Sequence, residues 1–355
     1  MGQYALRRLL LAVPVLLGIL LVTFVLARLI PGDPCTASLG EKATPEICAR
    51  FMVAHGLDRP ILAQFGYYVR DILSGDFGDS IRYSRPVSII LAERLPTTIE
   101  LSLAALTIAI VVGVPLGIIS AVRHNSAADV ATMVGANIGV SMPVFWLGLM
   151  LMYLFSVVLG VLPPSGRISA GVQSVPFFEI WHWSVQPGTP LFEGLEFLAN
   201  LYILNSIITA DWRVLADVTR HLILPAVALA TIPLAIIARM TRSSLLEILG
   251  QDYVRAAKAK GVPRQAVIMK HAFRNALLPV VTIIGLSLGG LLGGAVLTET
   301  VFGLAGVGRS LFEAITARDY PIIQAFTVVI AVIYVAVNLL VDLSYTYLDP
   351  RIRLK

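Results

Sequence analysis

Apolar and polar positions fall in long blocks along this chain. Six blocks, residues 9–30, 99–121, 130–159, 222–238, 277–297 and 322–341, are apolar enough to cross a hydrocarbon core. Such a core is about 30 Å thick and takes about 20 helical residues. Backbone groups in lipid must bond within their own segment, so each block is predicted to be a helix. Six crossings return both termini to one side. The polar blocks then choose the side: residues 1–8, 121–130, 239–276 and 347–355 carry 14 of the 27 Lys and Arg but only 4 of the 22 Asp and Glu. By the positive-inside rule these segments, and both termini with them, are cytoplasmic.

Two stretches qualify this pattern. Residues 197–210, FLANLYILNSIITA, are apolar but short, and Glu193, Glu196 and Asp211 flank them. A crossing there would turn the most basic segment outward, so a helix in the outer loop or along the interface is expected. The outer segment 31–96 alternates short amphipathic stretches with Gly, Ser and Pro breaks, which predicts a small folded or membrane-lying unit. The chain therefore divides at 98/99. Residues 1–98 hold the first span and the outer amphipathic segment; residues 99–355 hold a five-helix core with a long outer loop, 162–221, and the basic inner loop, 239–276.

Composition agrees with this reading: 57% of residues are hydrophobic, 14% are charged, and the mean hydropathy is +0.82. That excludes an ordinary soluble domain. The sequence pI near 9.3 does not indicate a nucleic-acid partner, because the excess charge lies in short loops between spans. Residues 9–30 follow Arg7 and Arg8 but are too long for a signal-peptide core and lack a small-residue cleavage pattern, so they are read as a retained span.

The basic inner loop has its own pattern. In EILGQDYVRAAKAKGVPRQAVIMKHAFRNALLP, from Glu247, the small pair Ala256 and Ala257 precedes Gly261 and then Pro263. Gly261 suits the position just past a helix C-terminus, and Pro263 suits the first turn of the next helix. Arg255, Lys258, Lys260, Arg264, Lys270 and Arg274 keep the hairpin in water or at the headgroups, while the alanines leave a face that another protein can approach closely.

DYVRAAKAKG followed by HAFRNALLP resembles the EAA loop of permease subunits of bacterial ABC importers, in the variant of the dipeptide and oligopeptide (peptide/nickel) permeases. PGDP, GLDRPI, GDFGDSI, ERLPTTIELS and SMPVFWLGL resemble the same family and occur in its order. Two departures from the general pattern, Arg255 in place of the name-giving glutamate and a longer Gly-to-Pro spacing, both agree with the peptide branch. The resemblance implies an all-α integral membrane protein of the bacterial or archaeal inner membrane. It implies that Asp252, Tyr253, Arg255, Ala256, Ala257, Lys260 and Gly261 form a coupling helix that docks on an ATPase subunit. It also implies that ETVFGLAGVGRSL with ARDYP forms the outer mouth facing a binding protein, with Glu299, Phe302, Gly303, Gly306, Gly308 and Asp319. The implied partners are a second similar permease chain, in a heterodimer, two cytoplasmic ATPase subunits that bind ATP and Mg, and an extracytoplasmic substrate-binding protein. No cofactor is expected in this chain itself.

Other chemistry is sparse. Gly303 to Ser310 nearly fits a phosphate-cradling loop, but Arg309 replaces the lysine and the preceding residues read as a membrane helix where a strand is required. His55, His124, His182, His221 and His271 lie on different loops, so no metal set is expected. Cys35 and Cys48 share the outer segment, where either a disulfide or two free thiols is compatible with the sequence. Thr107, Asn137, Ser141, Thr282, Ser287 and Asn338 are expected mostly to bond between spans. Glu100 and Asp342 are expected at wet span ends, and Pro115, Pro143, Pro225, Pro233 and Pro279 at or near helix breaks. The competing class, an ion-gradient-driven transporter or channel, requires ionisable residues in mid-span or paired repeats with broken helices, and neither is visible.

Overall fold

The computed structural model describes residues 2–29, 35, 40, 43–54 and 58–348. Pro31 to Pro34 of the PGDP motif, Gly56 and Leu57 of GLDRPI, and residues 349–355 of the last inner segment lie outside them. The described residues are helical apart from loops and one isolated bridge, Asp79 to Pro86.

Helix α1 (Gly2–Leu29) is followed by the outer helices α2 (Pro45–Ala54) and α3 (Ile61–Leu73). Helix α4 (Val87–Val122) and helix α5 (Ala127–Ser141) come next, then α6 (Val144–Met152), which continues as a π-helix over Tyr153–Val158. The outer loop carries α7 (Phe177–Ile180), α8 (Pro190–Ala199) and α9 (Tyr202–Ile208). Helix α10 (Trp212–Leu249) leads to α11 (Asp252–Ala259), and a π-helical turn at Val267–Phe273 opens α12 (Arg274–Gly294). The chain closes with α13 (Val296–Val301), α14 (Val307–Ala317) and α15 (Tyr320–Leu348).

Helix α10 is the centre of the bundle. In its most apolar stretch 67% of residues are buried, against 11% in α15. It lies along α4 at very short range because α4 presents Gly113 and Gly117, one turn apart. A methyl group at Gly113 would sit 2.9 Å from the Leu234 carbonyl oxygen, and one at Gly117 would sit 2.6 Å from that of Ala238. Small residues at this spacing let helix backbones meet where lipid offers no hydrophobic drive to bring them together.

The same contacts fix the topology. Thr97 and Glu100 lie near Val218 and His221 at one end, whereas Gly117 meets Ala238 at the other, so α4 and α10 run parallel. Parallel spans require the chain to return across the bilayer between them. The α5–α6 pair makes that return, because α5 begins at the inner end, where Asp129 binds Arg242. A second crossing by α8–α9 would leave α10 antiparallel to α4, so 197–210 belongs to the outer loop as expected. Helix α12 runs antiparallel to α15, with Gly285 against Val341 and Gly289 against Tyr334. Helix α1 pairs with α15 through Arg8 and Asp342, 3.2 Å apart.

Several expectations are corrected. The 130–159 span is not straight: its two limbs meet at 98°. Pro143 has no N–H to donate, and it forces Met142 into extended backbone (φ −80°, ψ 127°). Pro115, Pro225, Pro233 and Pro279 lie inside continuous helices, a position that membrane-spanning helices tolerate. Helix α4 begins at Val87 and is unbroken across the 98/99 junction, and α10 extends well beyond 222–238 at both ends. The apolar run marks only the part of a helix at lipid depth.

The outer segment is folded. Cys35 and Cys48 are joined by a disulfide, and Phe65 of α3 packs edge-on against Phe24 of α1 at 5.2 Å. Helix α3 buries no residue, and Leu62 and Leu73 are exposed, as befits a helix lying on a membrane surface. In the long outer loop, Phe177 packs against Trp181 and Trp183, and Asn205 fastens the loop by donating to Ser174 and Val175 and accepting from the Phe177 N–H.

Candidate functional site

The inner hairpin is built by local signals. Gly261 adopts φ +75°; its N–H bonds the Lys258 carbonyl at 3.0 Å, and the Val262 N–H bonds that of Ala257 at 3.3 Å. These two bonds form a Schellman closure, which satisfies the end carbonyls of α11 and turns the chain. Pro263 sits just before the next helix and not inside its first turn. Within α11, Val254 is fully buried and plugs the helix into the body of the protein.

The other side of α11 faces away. Asp252, Tyr253, Arg255, Ala256, Lys260 and Gly261 are exposed, and Ala257 is half-buried. Arg255 is 3.2 Å from Asp252 and donates to the Gly250 carbonyl, which ties it to the start of its own helix. The seven residues therefore share one segment, and six present themselves to solvent. Asn275 is not among the expected residues, yet its side-chain amide donates to the Tyr253 hydroxyl at 2.9 Å. Its only sequence signal is a polar residue in the first turn of an apolar span.

The outer set is arranged differently, because three of its side chains point inward. Glu299 is fully buried; it accepts from the Thr98 hydroxyl at 2.7 Å and from the Arg309 N–H at 2.8 Å. The same Thr98 oxygen accepts from the Val307 N–H. Burial pushes the Glu299 carboxyl above the ordinary glutamate range, against the pull of the Arg309 and Gly308 N–H groups and the Thr98 hydroxyl. Gly306 must lack a side chain, since a methyl there would fall 2.4 Å from that carboxylate, and one at Gly308 would fall 2.8 Å from the Val296 nitrogen.

Asp319 is likewise fully buried and accepts from the Ser80 hydroxyl at 2.5 Å and the Arg82 N–H at 3.1 Å. Phe302 is buried beneath Gly148, and only Gly303, at φ +62°, is exposed. Glu299, Phe302 and Asp319 thus brace this part of the chain from within and do not form its outer surface.

Between the two ends, α6, α10, α12 and α13 enclose a groove of about 580 Å³. It starts at the Pro143 elbow and is walled mainly by Ile232, Ile236 and Ile283, with Ser287 and Thr298 as polar points. The other weakly polar span residues contribute less polarity than expected. The hydroxyls of Thr107, Ser141 and Thr282 bond carbonyls one turn back in their own helices. Glu100 is not at a wet end: it is buried and accepts from Arg167 and the Ile203 N–H, both at 2.7 Å. This bond set pins the long outer loop to α4.

The family model described as binding-protein-dependent transport system inner membrane component matches residues 113–354, and that of the N-terminal part of such membrane components matches residues 1–104. The chain is 46% identical over 353 residues to a dipeptide transport system permease protein of Alkalihalophilus pseudofirmus, covering 99% of this chain and 100% of the relative. It is 42% identical to the dipeptide transport system permease protein of Escherichia coli strain K12, with 100% of both chains covered. A di/tripeptide transport system permease protein of Pseudomonas aeruginosa is 41% identical over 99% of each chain.

Proposed function

The chain belongs to the family of binding-protein-dependent transport system inner membrane components, and on that premise we propose that its passage carries dipeptides and related short peptides. It is a permease subunit of an ABC importer, seated in the inner membrane. One such chain supplies half of the passage and a second, similar permease supplies the other half. Two ATPase subunits outside this polypeptide hold ATP and Mg and engage the hairpin around α11, and an extracytoplasmic binding protein delivers the peptide to the mouth braced by Glu299 and Asp319.

The observation that carries the reading is the hairpin itself. One buried valine roots it, six exposed residues leave it open to a partner, and it joins the central helix α10 directly to α12. A push on the exposed face reaches two spans as a rigid-body displacement. The groove between those spans, apolar with isolated hydroxyls, suits peptides that must pass without being held. The peptide cargo rests on the relatives, which are named for dipeptide and di/tripeptide transport.

The test is uptake of a labelled dipeptide by the assembled complex in proteoliposomes. Uptake should require ATP inside and persist when a protonophore collapses the proton gradient. Uptake that follows the gradient without ATP would overturn the reading.

A further inference from the structure

The connection between α11 and α12 contains an irregularity that the hairpin alone does not require. Residues Val267–Phe273 form a π-helical turn between Arg264–Ala266 and α12. A π turn carries one more residue per hydrogen-bonded ring than an α-helix, and such turns concentrate at functional positions. Passing between π and α geometry shifts the following helix by one residue of register.

Asn275, in the first turn of α12, spans this irregularity. Its Nδ2 donates at 2.9 Å to the His271 carbonyl, inside the π turn, and at 2.9 Å to the Tyr253 hydroxyl on α11. One amide thus uses both hydrogens to tie three pieces together: the exposed helix, the π turn and the base of a span. Apolar packing does not orient the Tyr253 hydroxyl, because the residue is 45% exposed, whereas its neighbour Val254 and the π-turn residues Val267 and Ala272 are buried.

We propose that Asn275 is a positioning residue that transmits displacement of α11 into α12 through the π turn. The inference rests on the coupling role proposed above for the hairpin. The two-state element is the π turn, and the amide makes its register depend on where α11 stands. Without the bond, α11 would still dock through its exposed face, but part of its movement would be lost as slip between Tyr253 and the π turn.

The test uses the full complex with its partner subunits in proteoliposomes, comparing Tyr253→Phe, Asn275→Leu and the double variant. Tyr253→Phe removes one oxygen and keeps the ring, so it probes the bond without threatening the fold. Each single variant should lower dipeptide transported per ATP hydrolysed by about fivefold, the scale of one hydrogen bond, and Asn275→Leu, which lies outside the docking residues, should do so with assembly and basal ATPase rate unchanged. The double variant should be no worse than the poorer single variant, because both remove the same bond. Additive losses, or a lower yield of complex with an unchanged transport ratio, would overturn the proposal. A cysteine at Ala256 cross-linking to an ATPase subunit separates the two ideas. If that cross-link forms while the variants transport normally, the transmission proposal alone is wrong; if no cross-link forms, the docking of the hairpin is wrong.

Discussion

Arg242 holds Asp129 by two hydrogen bonds, 2.7 Å from its Nε and 2.8 Å from its second terminal nitrogen, across a separation of 113 residues. The carboxylate also accepts from the Ser120 hydroxyl and the Asn125 N–H. The inner ends of α4, α5 and α10 are therefore locked at one point, a few turns above the hairpin. Asp129 is buried, so removing the arginine strands a charge. Arg242→Ala is expected to destabilise the protein by leaving the carboxylate without its charged partner, a loss read as a lower melting temperature of the detergent-purified protein. Arg242→Lys should recover only part of it, because an ammonium cannot reproduce the two-pronged contact.

Gly117 tests the packing of α4 on α10. A side chain there meets backbone, the Ala238 carbonyl, and the Thr241 Cβ at 2.6 Å, so the helices must separate to admit it. Gly117→Val should lower stability by about 2 kcal/mol. Gly135, with nothing within 4 Å of an added Cβ, is the control: Gly135→Ala should leave the melting temperature unchanged or higher.

Gly261 tests the turn separately from bulk. An added Cβ would meet nothing within 4 Å, but the backbone sits at φ +75°, a region that costs a residue with a Cβ about 1–2 kcal/mol. Gly261→Val should reduce uptake by about tenfold while membrane insertion, followed by immunoblot of the membrane fraction, stays normal. Gly261→Asn should retain most of the uptake, since asparagine enters this region readily.

Glu299 should leave a pH signature. Its carboxyl is raised by burial, so the folded protein holds that proton more tightly than the unfolded chain does. The resulting stability is fully present below the unfolded value of about 4.5 and is lost as pH rises through the folded value. Melting temperatures of the wild type and Glu299→Gln, measured at steps upward from pH 4.5, should converge at the acid end and separate above it. Parallel curves would mean that Glu299 does not titrate in that window.

The Cys35–Cys48 disulfide should constrain the outer segment. Closing a loop across a sequence separation of 13 restricts the unfolded chain by about 3 kcal/mol in the chain-entropy account. Replacing both cysteines with serine should make the segment between α1 and α3 more sensitive to limited proteolysis from the outer side. Alkylation without reductant should label neither cysteine in the native protein.

The spans, their side of the membrane and the hairpin could be read from the residues because each follows from a local rule. Apolar length against bilayer thickness gives the crossings, Lys and Arg placement gives the orientation, and Gly261 ends α11 by backbone freedom alone. Tertiary structure decided what depends on residues far apart in the chain meeting. It bent the 130–159 span at Pro143 but kept Pro225 and Pro233 inside a continuous α10, as helices packed among neighbours in a membrane can. It turned Glu299 and Asp319 inward to Thr98 and Ser80, about two hundred residues away, and it gave Asn275 two acceptors on different elements. Periodicity and charge are properties of a segment, but a hydrogen bond across the bundle belongs to a pair of segments, and no single stretch of sequence contains it.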